Sequence, residues 1–271
     1  MARPLSLSYY TVPELSFLQM IDVAADAGCD CVGVRLLDGA PTEPPTALMR
    51  DVALRKEALA RMRDRGVRAL DASAARLRPD TRADAFAPML KVCEELGVQH
   101  VACSIDDPDL ARSTETLSAL CTLARRHDVR VEIEFVPWMA VGSMTDAATM
   151  VRAIDAPNLG ILVDALHLDR SGGCPEDITE LPATWFRLAQ ICDAPACTDL
   201  SKADQIRVAT QARCLPGDGE LPLAELIRAL PQNVPLCLEI PMRELAQRVP
   251  ALERVTAAVA ATRRLLAGSL Q

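Results

Sequence analysis

The chain has 271 residues, half of them hydrophobic and only 3% aromatic, which allows one large aliphatic core but few platforms for stacking nucleic-acid bases. A formal net charge of −8 opposes a phosphate backbone, so no nucleic-acid partner is expected. No apolar run reaches the length of a membrane span, MARPLSLSYY lacks the pattern of a signal peptide, and the ten cysteines lie mostly in apolar segments; together these predict a cytoplasmic protein with reduced thiols and no membrane partner.

Residues 5–9 read as a first strand, followed by a helix that opens near Thr11 or Pro13 and stops at Gly28. A second strand at 30–36 leads through a Pro-rich loop at 39–45 into a helix over 48–65, ended by Gly66. The third strand is 67–72, and a helix over 83–96 follows a loop carrying Pro79. The fourth strand is 98–104, with a helix at 107–127. The fifth strand is 129–135, with a helix at 145–154 capped by Ser143 or Thr145. The sixth strand, 159–165, precedes a short helix at 175–181. The seventh strand, 185–192, opens a long loop at 193–219 that carries PGDG, and loops of that length are usually functional or mobile. A helix at 221–230, an eighth strand at 235–240 and a last helix at 250–267 close the chain. Eight strand–helix phrases without a linker favour a single-domain α/β (β/α)8 TIM barrel over residues 1–271. An open doubly wound sheet is the alternative, and the absence of GxGxxG after the first strand weighs against a dinucleotide site.

Function in such a barrel sits at the C-terminal ends of the strands. Those ends carry Glu134 on strand five, Asp164 on strand six, Gln190 on strand seven and Glu239 on strand eight. Adjacent strand ends lie about 5 Å apart. Three carboxylates that close repel one another unless a cation sits among them. Oxygen ligands point to Mg²⁺ or Mn²⁺, with Co²⁺ or Zn²⁺ as further candidates. Taken singly, each residue has an ordinary explanation as a turn cap, salt-bridge partner or core amide; four ordinary explanations on four successive strands are less economical than one shared ion. Glu132 points the same way as Glu134 one layer deeper, and a structural ion pair with Arg35 is expected there. His100 and His127 read as structural. His167, three residues past Asp164, is placed to bind a substrate oxygen or move a proton.

The segments EFVP at 134–137, VDALH at 163–167, QICD at 190–193, RCLPGDG at 213–219 and LEIP at 238–241 resemble the xylose isomerase-like superfamily of sugar isomerases and epimerases, a group that includes endonuclease IV. The resemblance runs over the whole chain in the order of its strands and helices. It implies metal ligation by Glu134, Asp164 and Glu239, with Gln190 standing where ketose 3-epimerase-like members carry a His. Endonuclease IV-like members need a cluster of metal-binding histidines, and this chain has three histidines in all. The implied reaction is isomerisation or epimerisation of a small sugar or polyhydroxy carbonyl compound through a metal-stabilised enediolate. In it Glu134 and Glu239 are the catalytic proton carriers, and His167 and Arg213 bind the substrate. Arg213 is read as an anion clamp on the loop ahead of PGDG, or else as an ordinary surface residue. Two alternatives stay open: a metal-dependent dehydratase of a cyclic keto acid or inosose, and a barrel that binds a sugar or a partner without catalysis. The expected partner is a small sugar, sugar acid or cyclic polyol, and the last helix offers a face for a homodimer.

Overall fold

The computed structural model describes residues 3–39, 46–196 and 201–268. Eight parallel strands close into a barrel in sequence order: β1 (Leu5–Leu7), β2 (Cys31–Gly39), β3 (Arg68–Leu77), β4 (His100–Ile105), β5 (Arg130–Glu134), β6 (Leu159–Asp164), β7 (Phe186–Ile191) and β8 (Leu236–Leu238), with β8 pairing back onto β1. The helices are α1 (Phe17–Ala27), α2 (Ala47–Arg50), α3 (Val52–Arg65), α4 (Ala87–Leu96), α5 (Leu110–Arg125), α6 (Met144–Ile154), α7 (Ala165–Arg170), α8 (Glu176–Thr179), α9 (Lys202–Gln211), α10 (Leu223–Ala229), α11 (Arg243–Ala246) and α12 (Ala251–Gly268). The (β/α)8 barrel expected from the alternation of strands and helices is the fold.

Local chemistry sets the boundaries. Ser16 and Gln19 form a capping box that starts α1, so the helix opens at Phe17, later than the start expected at Thr11 or Pro13. Gly28 closes it in the left-handed region at φ +83°, a conformation costly for residues with a Cβ. The expected helix over 48–65 is broken into α2 and α3, because Asp51 leaves the helical region and accepts hydrogen bonds from the backbone of Ala53 and Leu54. Ser143 caps α6. The Pro-rich loop expected at 39–45 falls, after Gly39, outside the described residues.

Three other boundaries differ from expectation. β3 runs to Leu77 instead of stopping at Ala72, which brings Arg76 to the rim. The loop at 193–219 contains α9, capped by Ser201. His167 lies on α7, which starts directly after Asp164. None of the described helices is long and apolar enough to cross a membrane. Cys29, Cys93, Cys103 and Cys192 are buried free thiols, as expected for small apolar side chains.

The barrel interior holds a buried polar pair below the rim. Glu132 is fully buried, and its Oε1 lies 2.8 Å from His100 Nδ1. Its partner is therefore His100 and not Arg35, which sits higher in the barrel, level with Ser73, with its guanidinium over the rings of Tyr9 and Tyr10. Gly160, opposite Glu132 on β6, provides the space: a Cβ there collides with Glu132 Oε2 and comes within 2.6 Å of the Trp185 carbonyl oxygen. Gly160→Ala is expected to cost about 3 kcal/mol in urea denaturation, the upper end of ordinary overpacking. An unchanged unfolding midpoint would show that Glu132 has room to move.

Candidate active site

Strand register brings the predicted ligands together. Glu134 ends β5, Asp164 ends β6, Gln190 lies opposite Asp164 on β7, and Glu239 immediately follows β8. With His167 and Arg213 they border one cavity of about 370 Å³ at the C-terminal mouth of the barrel, Asp164 sitting behind its wall under Arg213. All six sequence-predicted site residues thus converge.

Their contacts are specific. Asp164 Oδ1 accepts hydrogen bonds from the backbone N–H groups of Leu166 and His167 at 2.8 and 3.0 Å, which caps α7 and fixes the start of that helix against the strand end. Its other oxygen, Oδ2, lies 2.6 Å from Arg213 Nη1. Arg213 Nη2 reaches Glu239 Oε1 at 3.2 Å, and Nε donates to the Ala209 carbonyl at 2.9 Å. Glu239 Oε2 accepts from Ser8 Oγ at 2.9 Å and from Gln190 Nε2 at 2.8 Å. Arg213 is therefore neither a surface residue nor a free clamp: it is 4% exposed and joins two of the carboxylates.

The PGDG turn explains how Arg213 is held. The buried Asp193 carboxylate accepts from the backbone of Gly217 at 2.8 Å and Leu221 at 3.0 Å. Asp193 and Cys214 also exchange backbone hydrogen bonds at 3.0 and 2.7 Å. Gly217 takes φ +92°, and a Cβ on Gly219 meets Asp193 Oδ1 and the Ala194 carbonyl oxygen. The motif braces the segment that delivers Arg213 to the carboxylates.

Among the other residues that line the cavity are two cations and a large aromatic side chain that were not anticipated: Arg76 at the end of β3, Lys202 at the start of α9, and Trp138 in the loop after β5. Lys202 had a legible signal, since Ser201 and Asp204 form the Ser-x-x-Asp pattern of a helix start. Trp138 packs edge-on against His167, ring centroids 5.3 Å apart at 80°.

Electrostatics follow from burial and proximity. Burial opposes ionisation of Asp164, but Arg213 outweighs it and holds the carboxyl below its usual range. Burial, reinforced by Glu239 and Asp164, pushes Glu134 up to about 8. Burial also pushes Glu239 up to about 7, against the pull of Arg213. His167 is driven down to about 4 by burial, so its ring is neutral at pH 7. Three ionised carboxylates against Arg213 leave two negative charges, and without a cation protons must supply the balance.

The donor set fits a divalent ion. Ligand atoms of Glu134, Asp164 and His167 all lie within 4.8 Å of one another. Gln190 Oε1 and His167 Nδ1 are buried polar atoms with no hydrogen-bond partner, the condition expected where a bound group belongs. A carboxylate oxygen that accepts one hydrogen bond keeps a lone pair for a metal, so Arg213 does not block ligation. A pH dependence follows. Glu134 and Glu239 hold protons more tightly folded than unfolded, so their stabilising effect is complete below about pH 4.5 and is lost as pH rises through 7 and 8. His167 acts in the opposite sense, losing stability as pH falls from 6.5 towards 4. Above pH 6.5 the two carboxyls act without that opposition. Metal-free protein is therefore expected to lose urea stability between pH 6.5 and 8.5, and Mn²⁺ to suppress the loss; a flat profile in EDTA would contradict the coupling.

Comparison with known proteins agrees with this architecture. Residues 18–265 match the family described as xylose isomerase-like TIM barrel. The chain is 30% identical over 130 residues to a 3-dehydroshikimate dehydratase of Pseudomonas aeruginosa, covering 46% of this chain and 20% of that protein. It is 29% identical over 103 residues to an inosose isomerase of Bacillus licheniformis, covering 34% and 37% respectively. The matched stretches thus span only a fifth and about a third of these relatives. Among solved structures, an IolI protein with a bound zinc atom superposes with a TM-score of 0.81 at 20% identity, covering 98% of both chains, which shows a shared fold.

Proposed function

Because the chain belongs to the xylose isomerase-like TIM barrel family, we propose that it is a divalent-metal-dependent isomerase or epimerase of a small sugar or polyhydroxy carbonyl compound. The observation that supports this best is that Glu134, Glu239, Gln190, His167 and one buried arginine border a single cavity, with Asp164 held directly behind that arginine. Glu134, Asp164, Gln190 and Glu239 would hold the ion, for which their oxygens suit Mn²⁺ or Mg²⁺, with Co²⁺ or Zn²⁺ as substitutes. The ion supplies Lewis-acid polarisation of a carbonyl oxygen.

The chain's own residues do the rest. Glu134 and Glu239 take a proton from the carbon beside the carbonyl and return it, and carboxyls shifted towards neutrality suit both directions of transfer. Return to the opposite face epimerises; return to the neighbouring carbon isomerises. Arg213 holds Asp164 and Glu239 in place and, with His167, faces the substrate oxygens. Trp138 fixes the His167 ring and covers that side of the cavity.

A second proposal, dehydration of a cyclic keto acid or inosose, draws on the dehydratase similarity and needs only that a β-hydroxyl leave after the same proton abstraction. Incubation with candidate ketoses, inososes and cyclic keto acids in D₂O with Mn²⁺ separates the two. Deuterium incorporation without water loss supports the isomerase; a conjugated, ultraviolet-absorbing product supports the dehydratase. Metal binding with neither outcome across the panel would favour a barrel that binds without turnover.

A further inference from the structure

Three cations border the active-site cavity, and they differ in what they touch. Arg213 is engaged by Asp164 and Glu239. Lys202 is exposed and donates to the Trp138 carbonyl at 3.3 Å. Arg76 is half-buried at the end of β3, and among the described residues its guanidinium has no hydrogen-bond or salt-bridge partner, although its Nε is cut off from solvent. We infer that the substrate is a carboxylic acid whose carboxylate binds Arg76, with Lys202 adding a second positive charge. The inference deepens the proposed reading, since it rests on this cavity being the substrate site and names the class of compound the cavity takes.

Strand order sets where the acid group lies. Glu134, Asp164, Gln190 and Glu239 come from β5, β6, β7 and the end of β8, one continuous half of the rim. Arg76 ends β3, four strands from β7 in a closed ring of eight, so it stands across the mouth from Gln190. Ser104, the register partner of Arg76 on β4, lines the same wall with its hydroxyl. A substrate whose carbonyl is directed at the β5–β8 carboxylates therefore presents its far end to Arg76. A group bound there takes no part in proton transfer; it orients the reacting carbon from a distance.

Charge identifies the group. A part-buried guanidinium without a partner is costly until an acceptor completes it, and its planar fork matches a carboxylate. An ion pair within the protein would be the ordinary explanation for such an arginine. Glu134, Glu239 and Asp106 border the same cavity, yet none of them pairs with Arg76. The two negative charges of the inner cluster are the complement of a divalent ion. Nearer solvent, Arg76 and Lys202 stand against the single carboxylate of Asp106, which leaves one positive charge. A carboxylate balances that charge. A phosphate dianion exceeds it, and a neutral sugar leaves the guanidinium without a counter-charge.

The test measures binding to the full chain, loaded with Mg²⁺ and, in parallel, stripped with EDTA. Calorimetry compares acids with neutral compounds of the same skeleton: gluconate with glucitol, glucuronate with glucose, and tetrahydroxycyclohexanecarboxylate with its primary amide. At least one acid should bind about ten-fold or more tightly than its neutral counterpart, the return on a charge-assisted hydrogen-bonded pair. Arg76→Gln and Arg76→Met should each abolish that preference, weakening the acid by at least about ten-fold and the neutral compound by less than about two-fold. Lys202→Met should weaken the acid only about three-fold, as for an exposed charge. Mn²⁺ should still bind in all three variants, which separates loss of the acid contact from loss of the metal site. No acid in the panel preferred over its neutral counterpart, or a preference that survives in both Arg76 variants, would overturn the inference and leave the metal-dependent isomerase standing. Acid binding that depends on Arg76, in a protein that turns over none of the corresponding keto acids, would uphold the inference and count against the proposed reaction.

Discussion

Glu239→Gln is expected to lower turnover by about 10³-fold, within the range for loss of a proton-transferring group, while leaving the fold in place. The carboxylate accepts from three side chains, Arg213, Ser8 and Gln190. A glutamine must turn its amide N–H groups towards at least one of these donors, and it carries no proton at neutral pH that can be exchanged with carbon. It also removes one of the two negative charges that call for a divalent ion, so calorimetric Mn²⁺ affinity falls as well. Stability changes little at pH 7, because burial already pushes the metal-free Glu239 carboxyl up to about 7 and a neutral amide replaces a group that is half neutral. Full activity in this variant would remove Glu239 from the proton pathway.

Arg213→Met should be the most destabilising change in the site, costing about 3–5 kcal/mol in metal-free protein at pH 8, as for a buried ion pair stripped of one partner. Arg213 is the side chain that pairs with both Asp164 and Glu239, and burial leaves little water to replace it. Without it Asp164 keeps only backbone donors, and its folded-state acidity weakens. The penalty should accordingly shrink as pH falls through the carboxylate range, where both states become protonated. Excess Mn²⁺ should recover part of the loss at pH 8. Urea midpoints at pH 8 and pH 5, with EDTA and with Mn²⁺, check all three statements; a variant as stable as wild type at pH 8 would mean that the pairs contribute nothing.

Most of the barrel was legible because its punctuation is local. Gly28, Gly66 and Gly97 end helices in the left-handed region, and short aliphatic runs between helices can only be strands. The rim carboxylates were legible for the same reason, since alternation along β5 to β8 and the barrel's own geometry place strand ends side by side. Boundaries set by long-range pairing were not. β3 continues past Ala72 because β4 extends alongside it as far as Ile105, and nothing in the run SAARL announces that partner. The same limit hid Arg76 from the predicted site. α9 was passed over because a long polar stretch with a proline-glycine turn reads as loop, although Ser201 marks its start.

Pairings across the barrel were the least legible. Glu132 takes His100 instead of Arg35 because depth in the barrel, set by strand stagger, decides which side chains meet. Arg213 presented itself as an exposed clamp, since a residue beside PGDG is ordinarily at the surface. Asp193 turns that loop inward through three backbone hydrogen bonds, from Ala194, Gly217 and Leu221, and the arginine is carried in with it. The consequence is chemical: a monovalent counter-charge is built into the carboxylate cluster, in direct contact with Asp164 and Glu239.

Anomalous diffraction at the manganese edge from crystals grown or soaked with Mn²⁺ tests the central claim most directly. The account predicts one strong peak at the C-terminal mouth of the barrel, within about 2.0–2.3 Å of oxygens from Glu134 and Asp164 and bordered by Glu239. A cavity without a peak at saturating Mn²⁺, with Arg213 still closed between Asp164 and Glu239, would contradict it.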